Sequence, residues 1–260
     1  MVSVVITTKN RQQLLPRAIE SVLSQTYPDL EVIVVDDGSD RPVTWTGSDP
    51  RVRILRNDKS VGLSAARNRG FAEAGGEYFC MLDDDDFYFP DKLEKQVAYL
   101  EANPGIDLVF SQVAVQDAEG NRRHYLADNH VHDARINLLA YNVIHPASVL
   151  FRRGVFEKIQ FEPRIKKYED TLFFNRVCIN FATAYLPMDA AVWMQDGRPD
   201  QLTRVFYKRN FDNFKIVCEG LADTINADAE LRKKYYGRLG FQAIRCGYLF
   251  EAARWFLRTL

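Results

Sequence analysis

Apolar positions in the first hundred residues switch repeatedly between strand and helix periods. Val2–Thr8 is β-branched and apolar, and Gln12–Gln25 then places Leu14, Leu15, Ala18, Ile19, Val22 and Leu23 at helical spacing. Glu31–Val35 is a continuous apolar run that stops at Asp36-Asp37-Gly38-Ser39, as an interior parallel strand buried on both faces would. Arg51–Arg56 alternates Val52 and Ile54 with charged neighbours, the pattern of an edge strand. Ser64–Ala74 is an Ala-rich helix that ends at Gly75-Gly76. Glu77–Leu82 reads as a strand running into Asp83-Asp84-Asp85-Asp86. Pro90 then opens a helix carrying Leu93, Val97 and Leu100, which stops at Asn103-Pro104-Gly105. This order predicts an α/β domain with a mostly parallel sheet flanked by helices.

After residue 105 the pattern changes. Asp107–Gln116 and Arg122–Leu126 flank a polar turn and predict a hairpin; Ala147–Phe151 is a strand, Asp170–Phe181 a helix and Ala184–Trp193 extended. The last fifty residues are helical, with Gly247 dividing two helices. The spacing of Leu239-Gly240, Ala243, Gly247, Ala252 and Phe256 resembles one tetratricopeptide-type hairpin. A single such unit cannot bury both faces alone, so it packs on the α/β domain, on a second copy or against a membrane. Seven basic residues and one acidic give residues 232–260 a net +6, which suits a partner subunit or anionic lipid; simple packing onto the α/β domain is the alternative.

Composition narrows the function classes. With 34 Lys+Arg against 35 Asp+Glu, the 260-residue chain is nearly neutral, which excludes a dedicated nucleic-acid binder. The apolar run at the start is too short for a signal-peptide core, and none approaches the roughly 18 residues of a membrane span. The four cysteines are scattered and predict neither a zinc site nor a disulfide framework, so the expected compartment is the cytoplasm, with a peripheral position at the inner membrane face as the variant the basic tail allows. No P-loop, no G-x-G-x-x-G after the first strand and no G-x-S-x-G elbow is present.

The tetrad Asp83–Asp86 is the sharpest chemical feature. Ligands of open α/β sheets collect at the carboxyl ends of strands, and four adjacent carboxylates repel one another without a cation. Oxygen-only ligands favour Mg²⁺ or Mn²⁺ carried with substrate phosphates; a solvated acidic loop is the plainer alternative. Asp36 and Asp37 end a second strand, where carboxylates accept from ribose hydroxyls and base N–H groups or simply form a turn. Of the two arginines at 67 and 69, one faces the crevice to pair a diphosphate and the other points to solvent. Glu169-Asp170 opens a helix, either as a general base beside substrate or as an acidic first turn. His145, before Pro146, is a candidate on the acceptor side, and residues 195–204 form a loop able to fold over a ligand or merely connect. A metal-dependent nucleotidyltransferase, or a non-catalytic sugar-nucleotide-binding or scaffold protein, would share much of this.

Taken together, VSVVITTKN with Arg11, VVDDGS at 34–39, SAARNRG at 64–70, GEYFCMLDDDDFYFP at 76–90 and Glu169-Asp170 resemble a family 2 glycosyltransferase over residues 1 to about 200. The resemblance implies a GT-A (Rossmann-like) domain over 1–203, with a nucleotide-sugar half to about 105 and an acceptor half from 106, followed by a helical extension over 204–260. It implies inverting transfer from a nucleotide-diphosphate sugar, a UDP-sugar first, to a hydroxyl of a glycan, lipid-linked or other acceptor, in cell-surface polysaccharide or glycoconjugate synthesis. By position, Thr7, Thr8, Asn10 and Arg11 would contact the nucleotide, Asp36 and Asp37 the base, and Arg67 the phosphates. The family's D-x-D falls on Asp83, Asp84 and Asp85, with Asp84 a ribose contact and Asp85 the ligand of Mn²⁺ or Mg²⁺. Asp170 would be the catalytic base and Glu169 its neighbour. Some relatives add a metal-binding His after the last strand; residues 195–204 hold none, and Asp196 is the conceivable substitute.

Overall fold

A computed structural model describes residues 1–125, 144–198 and 210–259. Strands β1 (Val2–Thr8), β2 (Leu30–Asp36), β3 (Val52–Arg56) and β4 (Tyr78–Asp83) lie parallel in the order β3-β2-β1-β4. Helices α1 (Leu15–Leu23), α2 (Leu63–Ala72) and α3 (Lys92–Ala102) cover the two faces. The period of two explains the continuous apolar runs. Val4, Ile6, Val32, Val34 and Leu82 pack with Ala18, Ile19, Leu93 and Val97 of α1 and α3, whereas Val5, Ile33, Val35 and Met81 join Ala66 and Phe71 of α2. Each Val, Ile, Leu or Met among them, fully buried, contributes about 1.5–3 kcal/mol. α2 lies close to the sheet because Gly70 lacks a side chain: a Cβ there would stand 2.5 Å from a Val5 methyl. Partly exposed β3 is the edge, as its alternation predicts.

The second half adds β5 (Phe87–Tyr88), β6 (Leu108–Asp117), β7 (Arg122–His124), β8 (Val149–Arg152) and β9 (Thr183–Gln195), with helices α4 (Arg153–Lys158) and α5 (Glu169–Asn180). The sheet continues β4-β8-β6-β9-β5, with β7 hung on β6 as the expected hairpin partner. β8 runs antiparallel to both β4 and β6, β5 antiparallel to β9, and β6 parallel to β9 across an irregularity between Phe110 and Val113. The parallel character therefore resides in the first four strands and in β6–β9. Three local details differ from the sequence expectation. α1 begins at Leu15 rather than residue 12, with a proline in its first turn. The two-residue β5 and the one-and-a-half-turn α4 are too short to announce themselves by periodicity. Residue 126, the two histidines at 130 and 132, and the 203/204 boundary fall outside the described residues.

Four helices close the chain: α6 (Asn210–Gly220), α7 (Ala222–Ala227), α8 (Ala229–Arg245) and α9 (Leu249–Leu257). Asp228 caps α8 by accepting from the Glu230 and Leu231 amides, and Gly247 turns the chain into α9 with φ +82°. Phe256 lies over Gly240, where a Cβ would meet its ring at 2.9 Å, and Ala243 and Ala252 are buried in the same cluster. Of the surfaces expected to receive this unit, the α/β domain is one: Phe214, Leu231, Tyr235 and Leu239 share a core with Ile165 and Leu172, and Asn175 of α5 donates to the Tyr235 hydroxyl at 3.0 Å.

Candidate active site

Strand register assembles the site. In β1, Thr8 stands beside Asp36 of β2 and Thr7 beside Asp83 of β4, so both acidic turns leave the sheet on either side of β1. That is the switch point of an open α/β sheet, where ligands bind. A cleft of about 540 Å³ opens there, lined by residues 7–11, Asp37, residues 60–63, Ala66, Asp84, Pro163, Ile165 and Lys166. This volume suits a nucleotide-sized ligand.

The two aspartates at the end of β2 have different surroundings. Asp36 is fully buried and accepts from the Ser39 amide (2.9 Å), the Val43 amide (3.1 Å) and the Arg56 guanidinium, so it shapes the loop after β2 and does not line the cleft. Asp37 does line it, and accepts from Asn57, the Ser60 hydroxyl and the Val61 and Gly62 amides. Burial works against both carboxylates, but these hydrogen bonds hold them below the usual range. Gly38 permits the approach with φ +68°, because a Cβ would stand 2.4 Å from the Ser60 amide nitrogen. Asn10, also at positive φ, ties the two loops together through Ser39 and Asp40.

Each residue of the tetrad has its own environment. Asp83 meets Arg67 at 2.7 Å; burial raises its carboxyl, yet the guanidinium holds it below its ordinary range. Asp84 is buried, with Oδ1 3.2 Å from Arg11 and Oδ2 without a hydrogen-bond partner, and burial pushes it up to about 7. Asp85 receives Arg11 at 2.9 Å and Arg198 at 3.0 Å, although burial and Asp83 still raise it. Asp86 is buried and accepts the Met194 amide at 2.9 Å, fastening the turn to β9.

Opposite this turn, α5 starts at Glu169 after Tyr168 in the left-handed region. Arg67 is 2% exposed and joins Glu169 (3.1 Å) to Asp83, so it crosslinks the turn to the α5 N-terminus instead of lining the cleft. Burial raises both Glu169 and Asp170; the Thr171 amide donates to Asp170 at 2.7 Å. Neither arginine of the pair points to solvent alone: Arg69 donates to the Arg56 carbonyl and Asn57, because the end of β3 leaves those acceptors within reach. The loop after β9 does return to the site, through Arg198, which also pairs Asp196 at 2.7 Å. Arg204 lies outside the described residues.

Of the aromatic side of the site the sequence points to His145 alone, and its partners Tyr125 and Trp193 carry no local signal. His145 packs against Tyr125 and Trp193, with centroids 5.7 and 4.9 Å away, and burial lowers its imidazole to about 4 despite nearby Asp83. Its Nδ1 accepts the Ala147 amide at 3.2 Å, leaving Nε2 as the donor of the neutral ring. Buried Lys92 donates to the Val149 carbonyl, Gln96 to the Ser148 carbonyl, and Ser148 to the His145 carbonyl, fixing the turn that carries the ring. No local signal marks Lys92 as buried.

The acidic turn offers an all-oxygen donor set, and the partnerless, buried Oδ2 of Asp84 beside Asp83 and Asp85 fits a Mg²⁺ or Mn²⁺ ion. Among the described residues no three His, Cys, Asp or Glu side chains converge into a preformed cage, so substrate oxygens would have to complete the coordination.

A sheet of this order, with acidic turns at its switch point and helices on both faces, is the GT-A architecture. A profile of the family described as "Glycosyl transferase family 2" matches residues 3–160, and the chain belongs to that family. It is 30% identical over 190 residues to an uncharacterized glycosyltransferase of Methanocaldococcus jannaschii, covering 69% of this chain and 65% of that one. Against an uncharacterized glycosyltransferase of Haemophilus influenzae, identity is 33% over 179 residues, 67% of this chain and 70% of the relative. The matched part is only 19% of a Rickettsia felis relative. In fold, the chain is similar to S. aureus TarS residues 1–349 in complex with UDP-GlcNAc, with TM-score 0.70, 13% identity, and 99% and 88% of the two chains covered. It is also similar to the mannosyltransferase PcManGT of Pyrobaculum calidifontis in complex with GDP-Man and Mn²⁺, with TM-score 0.65, 19% identity, and 97% and 77% covered. Among the described residues no helix is long and apolar enough to cross a membrane.

Proposed function

We propose that the chain transfers a hexosyl or N-acetylhexosaminyl unit from a UDP-sugar to an acceptor hydroxyl with inversion, serving cell-surface polysaccharide or glycoconjugate synthesis. One observation carries the reading: strand register and the Arg67 crosslink bring the acidic turn at 83–86 and the Glu169-Asp170 pair to the same sheet edge. The nucleotide occupies the cleft between residues 7–11 and 60–63. Asp37 orders the second of these segments, and Thr7, Thr8 and Arg11 lie along the first. Asp36 and Arg67 act as positioning residues there. Arg11, now on Asp85 together with Arg198, lines the cleft with Lys9 and Lys166, and these cations can pair an incoming diphosphate.

Asp170 accepts the proton of the acceptor hydroxyl as that oxygen bonds to the anomeric carbon. The bond to the diphosphate breaks, and its electron pair leaves with the nucleoside diphosphate. One base without an enzyme nucleophile gives a single displacement and hence inversion. Burial keeps Asp170 a stronger base than an exposed aspartate. A divalent cation bound through Asp85, with Asp83 and Asp84 beside it, would neutralise charge on the leaving diphosphate. Glu169, held by Arg67, fixes the start of α5, and the His145–Tyr125–Trp193 wall is the side on which the acceptor enters.

A thermal-shift screen of nucleotide sugars with and without Mn²⁺, followed by acceptor trials with the best donor, tests this. Stabilisation by a UDP-sugar and release of UDP support the reading. Release of inorganic pyrophosphate would identify nucleotidyl transfer, and donor binding without turnover over a broad acceptor panel would identify a binding protein.

A further inference from the structure

The outer side of the α8–α9 hairpin is apolar and uncovered. Phe241 and Ile244 are one turn apart on α8 and exposed; past Gly247, half-exposed Tyr248 rests one side of its ring on Phe211, and the chain continues into Leu249, 68% exposed, and Phe250, 96% exposed. Leu257, two turns beyond Phe250 on the same side of α9, is exposed as well. The opposite side of α8 carries Leu231, Tyr235, Leu239 and Ala243 into the shared core, so packing on the α/β domain leaves the outer side unused. Six large apolar side chains exposed on one hairpin mark an interaction surface rather than ordinary scatter.

Charge selects the occupant. Arg245 and Arg254 are exposed beside these residues and Lys233 is exposed further along α8, within a segment of net +6 in a chain of net −1. Not every basic residue contributes: Arg238 turns inward over the Phe214 ring at 4.7 Å, and Arg258 stacks over the Trp255 ring at 4.6 Å. Pairing this face with itself in a second copy would set like charges against one another. A surface that is apolar just below its plane and anionic at it satisfies both features. We propose that the hairpin docks on an anionic lipid bilayer, with Leu249 and Phe250 entering the interface and the basic side chains resting among the headgroups.

The test uses the full chain and reads binding, so it is independent of the transfer reaction. In vesicle sedimentation at about 0.1 M salt, the protein should pellet with phosphatidylcholine vesicles containing phosphatidylglycerol, and not with phosphatidylcholine alone. Leu249→Ser/Phe250→Ser should lower partitioning about tenfold or more, and Arg245→Glu/Arg254→Glu by a similar factor, since each basic residue near such a surface contributes about fivefold. Both variants alter exposed positions, and an unchanged melting temperature verifies their folding. Absence of pelleting, equal pelleting with neutral vesicles, or unchanged pelleting of the folded variants overturns the proposal. So does concentration-dependent dimerisation in sedimentation velocity that the serine variant abolishes, which would make the face a self-interface.

Discussion

Arg67→Met isolates the contribution of the crosslink between the acidic turn and α5. The guanidinium is 2% exposed and holds Asp83 at 2.7 Å and Glu169 at 3.1 Å, while methionine of similar length keeps the packing and removes both pairs. Breaking a buried ion pair by removing one partner costs about 3–5 kcal/mol, because the other charge is left uncompensated. The lower end applies here: Glu169 is only 12% exposed, but Asp83 keeps 36% of its side chain exposed. About 3 kcal/mol in a chain of this size lowers Tm by roughly 6–12 °C. The loss should be larger at pH 8 than at pH 6, since an unpaired buried carboxylate is relieved by protonation. The triple variant Arg67→Met/Asp83→Asn/Glu169→Gln removes the stranded charges and should recover most of the stability. Differential scanning fluorimetry of the single and triple variants at both pH values decides. A single variant within about 2 °C of the parent, or a triple variant no more stable than the single, would refute the reasoning.

Asp170→Asn should lower kcat by roughly 10²–10⁴ with little change in donor affinity, measured by UDP release and calorimetry; near-normal turnover removes Asp170 as the base. Asp85→Ala should weaken donor binding in the presence of Mn²⁺ much more than in chelator, and identical titrations of parent and variant would count against Asp85 as ligand. The unliganded protein should gain stability as pH falls from 8 to 6.5. Asp84, with a native value of about 7 against an ordinary 3.8, takes up its proton in the folded state first, and raised Asp170 acts in the same sense. His145, lowered to about 4 from 6.5, opposes this only once the unfolded imidazole charges, below about pH 6.5. Melting curves in EDTA that fall across this window would contradict the burial of Asp84.

Alternating apolar runs determined most of the α/β order, because interior parallel strands and their covering helices leave different periods in the chain. The runs at residues 2–8 and 31–35, the hairpin around residue 120 and the break at Gly247 follow from such local preferences. Local reading stopped at β5 and α4, which are too short to carry a period, and at the antiparallel insertion of β8 between β4 and β6, which depends on long-range pairing.

The acidic residues at 36–37, 83–86 and 169–170 stand out in the sequence because carboxylates in that density at strand and helix ends are costly without a reason. What each one does depended on its neighbours in space. Asp36 and Asp37 are adjacent, yet one is sealed beneath Arg56 and the other faces the cleft. Arg67 and Arg69 share a helix, but one turns to the carboxylates and the other to the end of β3. Burial and charge pairing arise from groups brought together across 16 to 113 positions of chain, as Arg67–Asp83 and Asp85–Arg198 illustrate, and no local pattern encodes such distances.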